Sequence, residues 1–514
     1  MPRPRPARSI RRLPLACLLV VPLLSVLAVG CTKYGASLSR SESPVVLDGS
    51  AVPKLLGTAP QHVVGFSWDG GAWNQIPVQV DQRDLVNPGQ ILNRPAANYA
   101  KLPNGNPYLI LVYTNPVAAS PGYTWWPTFT GAASHSGLGS LDEISFLAYD
   151  AGKLAPAGEA VPPAVDASSL EQVKITDPLD STKFAYVYLF SSPTLTGGGA
   201  GTTGVTYDFS LDSGNYESTY HMGNGANAPN NSIGPNPEQS TITTTSYTQS
   251  YGDRWLNDGM TMFGGPDILE RARVQFPGSC GRSEDTFDDQ TTATPYEGAF
   301  VVNISGPVRA IRSYIGANSG QYTVETDIFY PRREDSTVDL RVHQIPGAET
   351  FDDYLTGTTG LTYSDSNTPG GVAIDGVPDP VSTDASAWQM VEGAGGALVT
   401  THSLTSDIPG LDVGTYYLDQ SPATPAPCTG DASAWGQDGA VATGPGGGAL
   451  PCTDPTIYGT PGSCPTVTGQ STANALSVTR YRWFEPPGYT SSQAQALAAD
   501  TLQPLLTTVT PTIG

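Results

Sequence analysis

The sequence predicts an all-β protein, an antiparallel β-sandwich or supersandwich with long loops and one short C-terminal helix. The chain of 514 residues holds 57 glycines and 46 prolines, and the segments between them are rich in β-branched and aromatic residues. Several of these segments alternate apolar and polar residues with a period of two. A helical pattern runs from Ser491 or Ser492, as the cap, through Leu502 and ends before Pro504.

The clearest strand pattern spans residues 303–347. Three alternating runs, at residues 308–315, 322–330 and 338–345, are separated by segments of turn composition. They predict a three-stranded antiparallel meander with one apolar and one polar face. The predicted polar face gathers side chains from the second and third strands, namely Glu325, Asp327, Asp339, Arg341 and His343.

Arginines concentrate in this meander although the chain as a whole is acidic. Guanidinium groups hold a carboxylate through two hydrogen bonds, and His or Tyr can move a proton beside it, so the face would suit a carboxylated sugar. The predicted ligand-binding residues are Arg309, Arg341, His343, Glu325, Asp327 and Asp339, and the catalytic candidates are His343, Arg341 and Tyr314. The alternative is a structural cross-strand ladder in which arginines neutralise acids.

The N-terminus has the layout of an export signal. Five arginines stand within residues 1–12, an apolar run covers residues 13–29, and the segment closes on LAVGC at residues 27–31. This ending resembles the lipobox of bacterial lipoproteins, in which small residues precede a cysteine that is lipidated and becomes the first mature residue. The resemblance implies that Cys31 anchors an extracytoplasmic protein to the cell envelope. The alternative is an ordinary secretory signal cleaved near the same place.

The mature chain is strongly acidic. Residues 1–30 hold five of the 25 Lys and Arg residues and none of the 47 Asp and Glu, so removing them leaves a net charge of −27. Such a chain repels nucleic acids and anionic membrane surfaces, which excludes nucleic acid as a partner. After the signal no apolar run in the sequence is long enough to span a bilayer, so the predicted membrane contact is the lipid alone.

Six cysteines are present, of which Cys17 lies in the signal and Cys31 is the predicted anchor. The other four are Cys280, Cys428, Cys452 and Cys464. An even number in an exported chain predicts two disulfides among three possible pairings, with one bridge tying the remote Cys280 to the later cysteines. Zinc is the alternative, but the spacings contain no C-x-x-C pair.

The domain organisation follows from composition. Residues rich in Gly, Thr, Asn, Ser and Pro separate two strand-rich halves. The predicted units are a lipoprotein signal peptide (1–30), a tether (31–43), an N-terminal β-sandwich (44–192), a low-complexity loop or linker (193–245) and a main β-sandwich (246–514), in which residues 420–472 form a disulfide-tied loop ahead of the C-terminal helix.

A second polar group lies in the N-terminal half, at Gln79, Asp81, Asp142, Glu143 and Asp150. It belongs to the motifs IPVQVD at residues 76–81 and LDEISF at residues 141–146, with Asp150 just beyond. These motifs are similar to those of secreted bacterial β-proteins associated with the galactose-mutarotase-like supersandwich, some of which are polysaccharide lyases. The resemblance implies a fold and a link to sugars, and it transfers no catalytic residue. The alternatives are turn and strand-end acids, or calcium ligands.

Calcium is the one cofactor hypothesis. Oxygen-bearing side chains at irregular spacing, Asp365, Asn367, Asp375 and Asp379, are of the kind that calcium prefers. Asx turns explain the same residues equally well.

The leading functional hypothesis is a lipid-anchored extracytoplasmic protein that binds a carbohydrate or cell-envelope polymer, with lyase cleavage as its enzymatic form. The alternative is a non-catalytic structural or interaction lipoprotein of the cell surface. A concave face holding arginines and aromatics would favour glycan binding, whereas burial of the arginines in salt bridges would favour the structural alternative. Five tryptophans are candidates for stacking on sugar rings, although tryptophan in a sandwich is more often core: Trp68, Trp73, Trp125, Trp126 and Trp255.

Overall fold

The computed structural model describes residues 32–86, 109–114, 134–210, 239–253, 256–275, 298–316, 322–341, 347–382, 384–406, 411–423, 432–443 and 476–513. Within these residues the chain forms antiparallel sheets, with a single α-helix near the C-terminus. The predicted all-β class and the short C-terminal helix are therefore confirmed.

Two large sheets face each other and form the main sandwich. The first has nine strands, in the spatial order β15 (Gly298–Ser305), β16 (Ala310–Gly316), β17 (Tyr322–Phe329), β18 (Arg333–Arg341), β26 (Leu476–Glu485), β23 (Gly396–Ser406), β22 (Gln389–Gly393), β20 (Thr362–Asp365) and β21 (Val372–Ala373). The second has eight strands, in the order β10 (Thr206–Asp208), β11 (Ser240–Thr243), β12 (Tyr247–Asp253), β13 (Leu256–Met262), β14 (Leu269–Gln275), β19 (Gly347–Tyr354), β25 (Ala434–Thr443) and β24 (Asp412–Gln420).

Three smaller sheets are built mainly from the N-terminal half. They are β1 (Pro44–Asp48), β7 (Glu143–Leu147) and β4 (Gln79–Asp81); β27 (Leu506–Thr510), β8 (Glu171–Thr176), β9 (Phe184–Ser191), β2 (Val63–Trp68) and β3 (Trp73–Ile76); and β5 (Arg83–Val86) with β6 (Ile110–Tyr113). Strand β27 comes from the C-terminal end and pairs with β8. Strands β10 and β11 fall within residues 193–245, the predicted linker, and join the edge of the eight-stranded sheet.

The helix α1, Ser491–Leu502, covers part of the outer face of the nine-stranded sheet. Its N-cap is Thr490, one residue before the predicted caps. The Thr490 side chain accepts a hydrogen bond from the Gln493 backbone N–H, and the Gln493 side chain accepts one from the Thr490 N–H, which completes a capping box. Ala494 and Ala498 pack against the sheet beside Trp483, so burial of this small-residue face positions the helix.

The central meander is present as β16, β17 and β18, and both of its faces are covered. On the outer face Ile311 and Val324 pack against Val86 and Val112 of the two-stranded sheet. The inner face lies against the eight-stranded sheet. The third strand begins at Arg333 instead of residue 338, because a tight turn joins the strands. Residues 334–336, which were predicted to belong to the turn, therefore pair with β17 as part of β18.

The register of the meander places its charged residues on different faces. Glu325 pairs with Val338, and Val324 pairs with Asp339. Because directly paired residues of antiparallel strands point to the same side, the acids of β17 face inward while Asp339 faces outward. The prediction that these acids share one polar face with Asp339 and Arg341 is therefore wrong. A shift of one residue in the pairing of two strands moves every side chain of one strand to the opposite face. The tight turn between β17 and β18 sets their pairing, and the alternation of residues alone does not reveal it.

Candidate functional site

Arg309 joins the nine-stranded sheet to the N-terminal sheets through a buried ionic network. Its Nε donates to the Asp81 carboxylate at 2.8 Å, its Nη1 to the Tyr330 hydroxyl at 3.1 Å, and its Nη2 to Glu143 at 2.6 Å. The Arg309 side chain is only 1% exposed. The two N-terminal motifs thus meet here, since Asp81 ends β4 and Glu143 begins the adjacent β7.

Gln79 orients this network from the same strand as Asp81. Its Oε1 accepts hydrogen bonds from the backbone N–H groups of Val308 and Arg309, each at 3.0 Å, and its Nε2 donates to Asp81 at 2.8 Å. A Cβ at Gly306 would lie 2.1 Å from the Gln79 Oε1, so any side chain there would displace the Gln79 amide from these contacts. Gln79 therefore fixes both the turn before β16 and the carboxylate that faces Arg309.

The two carboxylates of the network are perturbed in opposite directions. Burial raises the pKa of Asp81, even though Arg309 opposes this. Burial acts in the same sense on Glu143, but the charges of Arg309 and Arg83 outweigh it and lower the pKa of Glu143. The Tyr113 hydroxyl also donates to Glu143, at 2.7 Å. These contacts hold Glu143 as a carboxylate with donors on both oxygens.

A groove of about 570 Å³ lies beside this network, between the N-terminal sheets and the edge of the main sandwich. Its volume falls within the usual range for sites that bind small organic ligands. The described lining residues are Pro60, Gln61, Val78, Gln79, Val80, Asp81, Gln82, Thr114, Thr196, Gly197, Gly198, Thr202, Val205, Thr206, Ile304, Ser305, Gly306 and Pro307. Amides and hydroxyls dominate its polar groups, and Asp81 is its one ionisable side chain among these residues.

Part of the groove lining is hydrogen-bonded within the protein and part is free. The Gln82 amide donates to backbone carbonyls at His135 and Gly137, so it is committed to the fold. In contrast, the side chains of Gln61, Thr202 and Thr206 are exposed and have no hydrogen-bond partner among the described residues. Gln61 lies far along the chain from Thr202 and Thr206, so no single sequence motif contains all three groups.

The interior between the two large sheets holds a second charged group, which we call the buried ionic layer. Its ion pairs are Arg312–Asp327 (2.9 Å), Arg482–Glu334 (2.7 Å), Arg480–Asp352 (2.9 Å) and Arg482–Asp352 (3.1 Å). Asp327 was a predicted site residue, whereas Arg480, Arg482 and Asp352 were not. The signal was present, since Val478, Arg480 and Arg482 alternate along β26 and so share one face.

Three of the predicted ligand-binding residues, Arg309, Glu325 and Asp327, are buried. Arg309 is enclosed by the N-terminal acids, and Arg312 pairs with Asp327 between the sheets. Glu325 is also buried, and its burial, together with the Asp327 charge, raises its pKa to about 8. Arg309 and Arg312 thus meet the condition that favours a structural role over an open glycan face.

The three catalytic candidates are not brought together as an open site by the described residues. Tyr314 is 1% exposed, and burial raises its pKa well above the usual value, so its phenol is a poor base near neutral pH. Arg341 is the last residue of β18 and pairs with Tyr322. The structure does not describe the Arg341 side chain, and His343 lies outside the described residues.

The described tryptophans of the N-terminal half belong to the core. Trp68 is 6% exposed, and its ring lies 5.1 Å from that of Trp73 in an edge-to-face contact across the β2–β3 hairpin. The Trp73 indole N–H donates to the Ala160 carbonyl at 2.7 Å. Both rings therefore stabilise the hairpin, while Trp125, Trp126 and Trp255 lie outside the described residues.

The calcium candidates form local turns. Asp365 is buried and accepts hydrogen bonds from the backbone N–H groups of Asn367 and Thr368, and Asp375 accepts one from the Val377 N–H. Asp379 is partly exposed. Among the residues that the structure describes, no group of three or more His, Cys, Asp or Glu side chains is arranged to hold a metal ion. The Asx-turn interpretation accounts for Asp365 and Asp375.

The predicted anchor and disulfides fall on parts of the chain that the structure does not describe. Residues 1–30, Cys31, Cys280, Cys428, Cys452 and Cys464 all lie outside the described residues. No helix in the described part of the chain is long and apolar enough to cross a membrane.

Comparison with known proteins gives distant structural neighbours. No family model matches the chain, and no curated protein matches it. A solved structure assigned as an aldose 1-epimerase from Escherichia coli K12 aligns at 10% identity and a TM-score of 0.22, covering 47% of this chain and 98% of that one. The family GH92 alpha-mannosidase from Bacteroides thetaiotaomicron, in complex with mannoimidazole, aligns at 10% identity and a TM-score of 0.22, covering 49% of this chain and 30% of that one.

Proposed function

We propose that this chain is a lipid-anchored extracytoplasmic protein that binds a carbohydrate in the groove beside the Arg309 network. The observation that carries the proposal is the set of free hydrogen-bonding groups on Gln61, Thr202 and Thr206 around a groove of about 570 Å³. Amide and hydroxyl groups can both donate and accept, as sugar hydroxyls do. The anchor is the Cys31 lipid implied by the lipobox resemblance.

The groove is better suited to binding than to catalysis. Asp81 is its ionisable group, and both carboxylate oxygens already accept hydrogen bonds, one from Gln79 and one from Arg309. A general acid or base must exchange a proton directly with the substrate. The two Asp81 oxygens are already occupied by protein donors, so this carboxylate is poorly placed to do so. We therefore assign Asp81 and Arg309 the role of holding the groove wall in place.

A second candidate function is a structural or interaction lipoprotein without a glycan ligand. Burial of Arg309, Arg312 and Arg482 in salt bridges favours it, because a cationic sugar-binding face would leave guanidinium groups open to solvent. The two candidate functions make different demands on the groove. Only the binding function requires the free side chains of Gln61, Thr202 and Thr206, which we call the rim groups.

A glycan screen of the purified full chain tests the proposal. We expect at least one oligosaccharide class to bind, and Thr206→Val to weaken that binding about tenfold, since a buried hydrogen bond and its unpaired partner are worth about 1–3 kcal/mol. Valine keeps the β-branched shape, so strand β10 should persist. The matched control is Thr508→Val on the exposed strand β27, which does not line the groove.

Binding that Thr206→Val and Thr508→Val leave equally unchanged would place the ligand elsewhere. Absence of any glycan ligand for the wild-type chain would favour the structural candidate.

A further inference from the structure

We infer that the groove selects uncharged glycans over anionic ones; this inference rests on the proposed function and names its ligand class. It departs from the carboxylated sugar that the sequence of the central meander suggested.

The described groove lining offers no free cation. None of its residues is Lys, Arg or His, and its one ionisable group is the Asp81 carboxylate. The guanidinium that approaches this wall, Arg309, directs each of its three nitrogens at a protein acceptor: Asp81, Tyr330 and Glu143. Among the described lining residues, a uronate carboxylate would therefore meet no open guanidinium that could replace its lost hydration.

The charge of the whole chain acts in the same direction. A net charge of −22 for the full sequence produces a negative potential that slows the approach of a polyanion. The rim groups, by contrast, are neutral. Gln61 supplies an amide, and Thr202 and Thr206 supply hydroxyls, so they can hydrogen-bond hydroxyl groups without the cost of removing water from an ion.

The ion pair on the groove wall also explains why a cationic sugar is not the inferred ligand. Asp81 is 3% exposed and already paired with Arg309, so its charge is largely compensated before a ligand arrives. Because the charges on the groove wall neutralise each other, the ligand is selected by its shape and by hydrogen bonds to uncharged groups.

The test compares oligosaccharides of matched length and linkage that differ only in oxidation at C6, such as oligogalactosides and oligogalacturonides, by isothermal titration calorimetry with the full chain. We expect the neutral member of the preferred pair to bind about tenfold or more tightly than its uronate, because the uronate carboxylate would lose its hydration without gaining a cation from the described lining. Binding of the neutral sugar should change little with added salt.

A charge-gain variant sharpens the comparison. Thr202 is exposed on the rim, so Thr202→Lys should fold and should recover uronate binding at low salt, whereas Thr508→Lys outside the groove should not. Tighter binding of the uronate by the wild-type chain would overturn the inference while leaving carbohydrate binding intact. Failure of both sugar series, across all pairs tested, would instead refute the proposed function.

Discussion

Arg309 donates from Nε to the Asp81 carboxylate at 2.8 Å, although the two residues are 228 positions apart in the chain. This contact joins Arg309, the residue immediately before β16, to Asp81 at the end of β4. The groove lies directly beside it, since Asp81 lines the groove and the backbone N–H of Arg309 donates to Gln79, another lining residue. The geometry of the binding surface therefore depends on a long-range ion pair.

We expect Arg309→Gln to lower the free energy of unfolding by about 3–5 kcal/mol, because it leaves Asp81 and Glu143 buried without their shared cation. Chemical denaturation measures the loss. The comparison variant is Arg83→Gln, which removes one of the two cations of Glu143 from a side chain 15% exposed but leaves Asp81 paired, so it should cost less than Arg309→Gln. Equal losses for the two variants would contradict the assigned role of Arg309.

Glu325, which is buried beside Asp327 of the ionic layer, should make the folded protein less stable as pH rises through neutrality. Burial and the Asp327 charge raise the pKa of Glu325 from 4.5 to about 8 in the folded chain. A raised folded-state pKa stabilises the fold fully below pH 4.5, and this contribution is lost as pH rises towards 8. Other buried acids act in the same sense, so the informative quantity is the difference between wild type and Glu325→Gln.

Thermal melts from pH 5 to pH 9 should show the wild type losing stability faster with rising pH than Glu325→Gln. The control Glu159→Gln, at a partly exposed site outside the layer, should follow the wild-type profile. Parallel pH profiles for wild type and Glu325→Gln would rule out this carboxyl as a source of the dependence.

The sequence predicted the architecture better than the site. Alternation located the strands of the meander, and the cap pattern located the C-terminal helix, because both signals reflect local preferences of the chain. Alternation failed on the faces of the meander, since it assumed that the interior is apolar. Arg312 and Asp327 lie inside because their charges compensate each other across neighbouring strands, a relation that depends on register.

The groove was beyond sequence analysis for a different reason. The motifs at residues 76–81 and 141–146 indicated that Gln79, Asp81 and Glu143 matter, and the structure brings all three to Arg309. Their shared partner, Arg309, belongs to the central meander, which was predicted to be a separate site. Contacts between residues so far apart are set by the packing of whole sheets, and a single sequence does not reveal them.

The anchor hypothesis predicts that Cys31→Ser moves the protein from the membrane fraction to a soluble fraction. The reason is that the lipid on this cysteine would be the membrane contact, as the lipobox resemblance implies. Fractionation followed by immunoblotting measures the distribution, and Cys280→Ser serves as a cysteine control that should stay with the membrane. Membrane retention of Cys31→Ser would refute the anchor.

The disulfide hypothesis predicts that Cys280 is joined to one of Cys428, Cys452 or Cys464 in exported protein. Non-reducing peptide mapping identifies the partner. Loss of a bridge should lower the free energy of unfolding by about 2–5 kcal/mol, because the unfolded chain gains freedom. Recovery of Cys280 as a free thiol would contradict the predicted disulfide.

The most direct test of the central claim is a crystal structure of the full chain with the neutral oligosaccharide that binds it most tightly. The account predicts sugar density in the groove, with hydroxyls within hydrogen-bonding distance of Gln61 and Thr206. The Arg309–Asp81 contact should remain as it is without the ligand. Sugar bound at another surface, with the groove empty, would contradict the account.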